Sequence, residues 1–167
     1  MRDEGFIEGE ELMQLVREQV SMGQVIRYLP FRGRSMLPML REGKDSVELS
    51  PLPKQLKKYD LPVYQYPSGK YVMHRVVAVK DGYYICNGDN LVQMEKIYPD
   101  QLIAIVSAFT RNGKRIEVTA TGYRIYCRLW CAVRPIRHLF VRVRRCLAKI
   151  KRRITNHNLQ DHRQIRG

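Results

Sequence analysis

The sequence predicts a mainly β protein with a short helix at its N-terminal end and a basic helical extension at its C-terminal end. Three observations lead to this fold class. Short runs rich in β-branched and aromatic residues fill the middle of the chain, an amphipathic pattern precedes them, and a basic helical pattern follows them from Thr121. We therefore divide the chain into an N-terminal helix at 1–23, a β-domain at 24–120 and a basic tail at 121–167.

The first helix is predicted over Glu8–Met22. Apolar residues recur there at helical spacing, and Gly23 stands where a glycine often ends a helix. A strand is predicted next, from Gln24 to Phe31, with Pro30 marking a strand end. It leads into the segment FRGRSMLPMLREG, in which Ser35 lies in a small turn ahead of a brief apolar helical turn.

The β-domain is predicted to continue as a series of short strands. Turns rich in Pro, Gly, Asp and Asn separate runs that are strongly apolar or alternate with polar residues. The runs are SVELS, LPVYQY, KYVMHRVVAV, GYYICNG and LIAIVSAFT. Several short strands that follow one another in this way indicate an all-β core.

Positive charge is concentrated in the tail. From Thr121 onward, thirteen Lys and Arg stand against one acid, which accounts for +12 of the chain's net charge of +14. Residues 136–153 combine an apolar helical face with many basic residues, as helices that lie on anionic membranes do. We expect residues 121–153 to bind such a surface. Nucleic acid is the less favoured polyanion, and packing of the apolar face on the β-core is the remaining alternative.

Targeting and cofactor signals are absent from the sequence. No run of about 18 apolar residues and no signal-peptide core opens the chain, and the four cysteines form no C-x-x-C pair. We therefore expect a cytoplasmic protein, or one peripheral to a membrane, that uses no metal and no cofactor.

Three boxes in the β-domain resemble those of the type I signal peptidases. GRSMLPML is followed by HRVV and then by a GDN turn, in the order that the family shows. The boxes resemble more distantly those of LexA-type self-cleaving repressors, which share the same catalytic β-fold. The similarity covers residues 25–110 and implies a serine endopeptidase that cleaves a precursor protein or peptide.

The resemblance gives each motif residue a role. Ser35 matches the nucleophile, His74 matches the general base of the His-type members, and Asp89 matches the acidic residue near that base. The chemistry of these side chains agrees with those roles. A neutral imidazole takes the serine proton during attack on a peptide carbonyl, and a carboxylate on its other nitrogen fixes the tautomer.

Gly33 and Ser35 belong to the predicted oxyanion turn. The Ser35 N–H is the natural first donor, but Gly33 replaces the serine whose hydroxyl supplies the second donor in the family. Loss of one such donor typically lowers turnover about a hundredfold. Met36 and Pro38 are the candidate lining of a substrate groove, where an extended peptide is expected to add as a strand beside Ser35.

A second class of function stays open. A relative with little or no activity would use the peptidase fold as a scaffold and bind nucleic acid or an anionic membrane through its basic tail. A repressor is less favoured, because few residues precede the Ser-Met box and a helix-turn-helix domain needs more. Covalent chemistry at Ser35 separates the two classes.

Overall fold

A computed structural model describes residues 10–30, 32–136 and 139 of the chain. It divides into two compact units, one ending at Cys131 and the other beginning at Ala132. The described elements are α1 (Glu10–Ser21), β1 (Ile26–Pro30), β2 (Ser46–Ser50), β3 (Pro62–Gln65), β4 (Tyr71–Met73), β5 (Arg75–Lys80), β6 (Tyr83–Asn87), β7 (Glu95–Ile97), a 3-10 helix (Pro99–Gln101), β8 (Leu102–Arg111), β9 (Lys114–Glu117) and α2 (Thr121–Ala132).

The strands of the described residues form two antiparallel sheets, so the prediction of a mainly β protein with an N-terminal helix is confirmed. The larger sheet has the order β1-β2-β8-β3-β4, with β9 also paired to β8. The smaller sheet has the order β5-β6-β7. β8 is the central strand of the larger sheet, because β2, β3 and β9 all pair with it.

The run KYVMHRVVAV, predicted as one strand, is divided between the two sheets. β4 pairs with β3 in the larger sheet, whereas β5 pairs with β6 in the smaller one. His74 is the single residue between the two strands. The change of sheet therefore occurs at the residue that the motif marks as the base.

Both helices contribute to the main hydrophobic core. α1 buries Met13, Val16 and Val20, and α2 buries Tyr123 and Cys127 in the same cluster. A fully buried apolar side chain stabilises a fold by about 1.5–3 kcal/mol relative to an exposed one. The boundaries expected at residues 23 and 120 therefore do not separate independent cores, and the compact unit extends to Cys131.

The remaining predictions have mixed outcomes. α1 ends near Gly23, which adopts a left-handed φ of 79°, and the helix predicted after Thr121 is observed as α2. β7 and β9 were not predicted. The basic helix expected over 136–153 lies almost wholly outside the described residues. In the part of the chain that is described, no helix combines the length and the apolar character needed to cross a membrane.

Candidate active site

Ser35 lies in a turn-rich segment between β1 and β2. Gly33 has a left-handed φ of 92°, a conformation that residues with a Cβ rarely adopt. A serine at this position would be strained, so the turn favours the glycine that the sequence has there. The Leu40 N–H donates to the Met36 carbonyl at 3.0 Å, forming the brief helical turn expected after Ser35.

The turn after β6 holds the Ser35 segment in place. The Asn90 N–H donates to the Ser35 carbonyl at 2.7 Å, and the Asn90 side-chain amide donates to the Arg34 carbonyl at 3.2 Å. A Cβ added to Gly88 would lie 2.9 Å from the same Ser35 carbonyl oxygen. The GDN motif therefore needs its glycine because the backbone of the serine turn approaches so closely.

His74 is fully buried, and its imidazole is held from one side. Nδ1 lies 3.0 Å from Oε2 of Glu95 and 3.0 Å from the Tyr64 hydroxyl, which itself donates to the same Glu95 oxygen. A carboxylate only accepts hydrogen bonds, so Glu95 favours the tautomer that carries its proton on Nδ1. Nε2 is then an acceptor, as a general base requires.

The electrostatics of this cluster keep Glu95 charged and Tyr64 neutral. Burial works against the charge of Glu95, but hydrogen bonds from His74 and Tyr64 outweigh it, and the pKa of the carboxyl group is lowered. Burial, together with the neighbouring Glu95 charge, raises the pKa of Tyr64 well above its ordinary value. The phenol therefore stays protonated and remains a donor to Glu95.

Ser35 Oγ and His74 Nε2 are among the buried polar side-chain atoms that lack a hydrogen-bond partner within the described residues, so no hydrogen bond joins the two. Their residues are 1% and 0% exposed, and buried polar atoms are usually paired. Ser35 contacts the turn at 88–90 through Asn90, and Arg75, the residue after His74, binds Asp89 of the same turn. The turn therefore links the Ser35 segment to the strand that begins directly after His74.

Asp89 has a different partner from the one expected. Its carboxylate binds the Arg75 guanidinium through two hydrogen bonds, at 2.8 Å to Nε and 2.7 Å to Nη2. Both side chains are buried, and a buried guanidinium requires a counter-charge. The carboxylate at Nδ1 of His74 is Glu95, so the expectation that Asp89 occupies that position is corrected.

Arg75 also joins the turn to α2. Its guanidinium donates to the Tyr123 hydroxyl at 2.8 Å and contacts the Cys127 sulfur at 2.9 Å. Burial disfavours the charge of Arg75, but the bonds to Asp89 outweigh this effect and raise its pKa above the ordinary value. The first residues of the segment predicted as a basic tail therefore belong to the scaffold that Arg75 connects to the 88–90 turn.

Sequence reasoning missed Glu95 because no motif contains it. Glu95 begins β7 and lies opposite Cys86 of β6, so its proximity to His74 results from strand pairing. The Asn87 side-chain amide donates to the carbonyls of Leu91 and Gln93 and orders the loop that leads to it. An acid at the start of a short strand is the only signal that the sequence offers.

The expected groove residues separate in the structure. Met36 is completely buried in the main core, so it stabilises the fold and does not line a groove, whereas Pro38 is exposed. A continuous apolar run such as MLPML cannot distinguish these two environments from sequence alone.

The described residues include no group of three or more His, Cys, Asp or Glu side chains placed to hold a metal ion.

Comparisons with known proteins add no relative. No protein-family description, no curated protein and no solved structure matches this chain significantly.

Proposed function

We propose that the chain is a serine endopeptidase resembling the type I signal peptidases, with the catalytic β-fold of that family. Ser35 is the nucleophile, His74 is the general base, and Glu95 orients the base. The observation that carries this proposal is the pair of buried atoms, Ser35 Oγ and His74 Nε2, that lack a partner among the described residues. The turn at 88–90 binds both the Ser35 segment and Arg75, the residue after His74, while Glu95 and Tyr64 hold Nδ1 of the imidazole.

The arrangement fits a complete proton cycle. Nε2 of His74 takes the Ser35 proton as Oγ attacks the peptide carbonyl, and the protonated imidazole then gives that proton to the leaving amine. Water, activated by the same nitrogen, hydrolyses the acyl-enzyme and regenerates the serine. Glu95 stabilises the imidazolium through Nδ1, and Tyr64 holds the carboxylate in position.

Substrate entry requires a local rearrangement, because Ser35 is only 1% exposed. Arg34 and Pro38 on either side of it are exposed, so an extended peptide can approach along this segment. The N–H of Ser35 is the proposed first oxyanion donor. The second donor is not the side chain of residue 33, which is glycine.

Peptide cleavage at Ser35 tests the proposal directly. A library of extended peptides is incubated with the full chain, and the products are identified by mass spectrometry. The wild type and the control Ser68→Ala, which changes an exposed turn serine, are expected to give the same products. Ser35→Ala and His74→Ala are expected to give none while keeping the wild-type circular dichroism spectrum. Cleavage that survives in a folded Ser35→Ala protein would reject this serine as the nucleophile.

We further propose that the basic tail brings the peptidase to anionic membranes. The support is the concentration of +12 charge units beyond Thr121. Because α2 belongs to the compact unit, the test leaves it intact and changes Arg142, Arg144, Arg145 and Lys149 to Gln in the full chain. Co-sedimentation with phosphatidylglycerol vesicles is expected to fall sharply, and unchanged sedimentation contradicts the role.

The alternative is a catalytically inactive protein that binds nucleic acid through the same tail. Its test is binding to DNA or RNA at several salt concentrations, since several phosphate contacts give a steep salt dependence. Strong binding of this kind, together with a peptide library left uncut by the wild type, would favour the alternative.

A further inference from the structure

A cavity of about 660 Å³ has none of Ser35, His74 and Glu95 in its lining. Its walls come from the segment before β3, from β8 and from the first turns of α2. Tyr59, Tyr123 and Cys127 line it and also contact the Arg75 guanidinium. Its volume lies within the range of about 300–1,000 Å³ that is typical of small-molecule sites.

The charges around the cavity are mostly positive. Lys57, Lys58, Arg124 and Arg128 line it, against one carboxylate, Asp60. Lys57 interacts electrostatically with that carboxylate, and the Asp60 side chain also accepts the Lys57 N–H at 2.7 Å. Within the described residues, none of the other three cations forms an ion pair with a carboxylate, so the cavity mouth attracts an anion.

Apart from Gln55, Ser107 and Thr119, the rest of the lining is mostly apolar. Pro51, Ile105 and Val118 contribute aliphatic surface, and the rings of Tyr59 and Tyr123 contribute aromatic surface. A small hydrophilic anion would leave this surface wet, whereas a ligand with an apolar body would cover it and gain the free energy of burial. The combination selects a molecule that carries a negative head and an alkyl or similar body.

We propose that this cavity binds an anionic amphiphile, an alkyl chain that ends in a phosphate group. Arg124 and Arg128, on successive turns of α2, bind the phosphate, because guanidinium groups match phosphate oxygens in geometry and charge. The chain lies against the apolar wall below them. This site is separate from Ser35 and does not depend on peptidase activity.

Octyl phosphate, kept below its micelle concentration, is the probe. Binding to the full chain is followed by calorimetry and by amide shifts of Ser107 and Thr119, which line the cavity. The double variant Arg124→Gln/Arg128→Gln is expected to weaken binding at least about tenfold. The matched control is Lys80→Gln/Lys114→Gln, which removes two exposed cations from outside the cavity and is expected to leave binding unchanged.

Two further ligands test the chemical class. Inorganic phosphate lacks the chain and octylphosphocholine has a zwitterionic head, so both are expected to bind much more weakly than octyl phosphate. Equal weakening in the two double variants would overturn the site, since it would mean binding by general positive charge. If inorganic phosphate or octylphosphocholine binds as tightly as octyl phosphate, the proposal that the ligand is an anionic amphiphile is overturned.

Vesicles of phosphatidylglycerol distinguish the source of the ligand. If Arg124→Gln/Arg128→Gln lowers vesicle binding in parallel with octyl phosphate binding, the natural head group belongs to a membrane lipid. If vesicle binding is unchanged while octyl phosphate binding falls, the ligand is a free alkyl phosphate. Both results support the site.

Discussion

Replacing Asp89 by alanine is expected to destabilise the fold by about 3–5 kcal/mol, the usual cost of leaving one member of a buried ion pair without its partner. The size of the effect follows from the geometry. The side chains of Arg75 and Asp89 are 1% and 3% exposed, and two hydrogen bonds of 2.8 and 2.7 Å join them. For a chain of this length, the loss corresponds to a melting temperature lower by roughly 6–20 °C.

Urea unfolding followed by far-ultraviolet circular dichroism measures this loss. The double variant Arg75→Met/Asp89→Leu replaces both charges by apolar side chains and is expected to recover more than half of it. Glu117→Ala is the matched control, because it removes an ion-pair partner of Arg115 in which both side chains are about half exposed. Little change is expected there. A loss below about 1 kcal/mol for Asp89→Ala, or no recovery in the double variant, would refute a structural role for the pair.

Three other predictions concern separate parts of the molecule. Glu95→Gln is expected to lower kcat on the order of 10³-fold, because the amide no longer stabilises the imidazolium, and an unchanged kcat in a peptide assay excludes Glu95 from the mechanism. Met13→Ala is expected to cost about 2–5 kcal/mol in urea unfolding, and the exposed control Leu15→Ala much less; equal costs would argue against packing of α1 on the core. Two hydrogen bonds from Arg115 lower the pKa of Glu48 below its ordinary value of 4.5. The contribution of ionised Glu48 to the stability of the folded state is therefore complete above pH 4.5. It is lost as the pH falls through the lower pKa that Glu48 has in the folded protein. Urea midpoints at pH 7 and pH 3 should show wild type and Glu48→Gln converging in acid, and a constant gap contradicts this assignment.

Much of the fold could be predicted from periodicity and turn residues. The α1 helix follows from apolar residues at helical spacing and from Gly23, whose left-handed φ ends the helix as expected. β7 and β9 were missed because each is short and mostly polar, so their strand character comes from pairing with β6 and β8. Local pattern is informative where burial is one-sided and weak where a neighbour imposes the structure.

The candidate site could also be predicted only in part from the sequence. Ser35 and His74 stand in the boxes from which the sequence predicts a nucleophile and a base, and the 88–90 turn binds the Ser35 segment and Arg75, the residue after His74. Glu95 depends on strand register, which no local pattern records. Asp89 was given the role of Glu95 because spacing in a motif cannot reveal that the residue next to His74 is a buried Arg75, which requires that carboxylate.

α2 shows most clearly what amino-acid composition alone cannot predict. Its basic residues made it look like the start of a tail, but Tyr123 and Cys127 face the core and contact Arg75. A helix can carry exposed arginines on one face and complete a hydrophobic core with the other. The charge of a segment therefore does not identify where a domain ends.

The position of β8 in the larger sheet has a consequence for biosynthesis. β2 and β3 are not neighbours of each other, and each pairs with β8 at 102–111. Neither can form this pairing until β8 has left the ribosome, long after β2 and β3 have done so. Until then the nascent chain presents strand edges without their native partner, a situation that invites association with other chains. Cells that make this protein should therefore need a chaperone at the ribosome more for its first hundred residues than for its basic end.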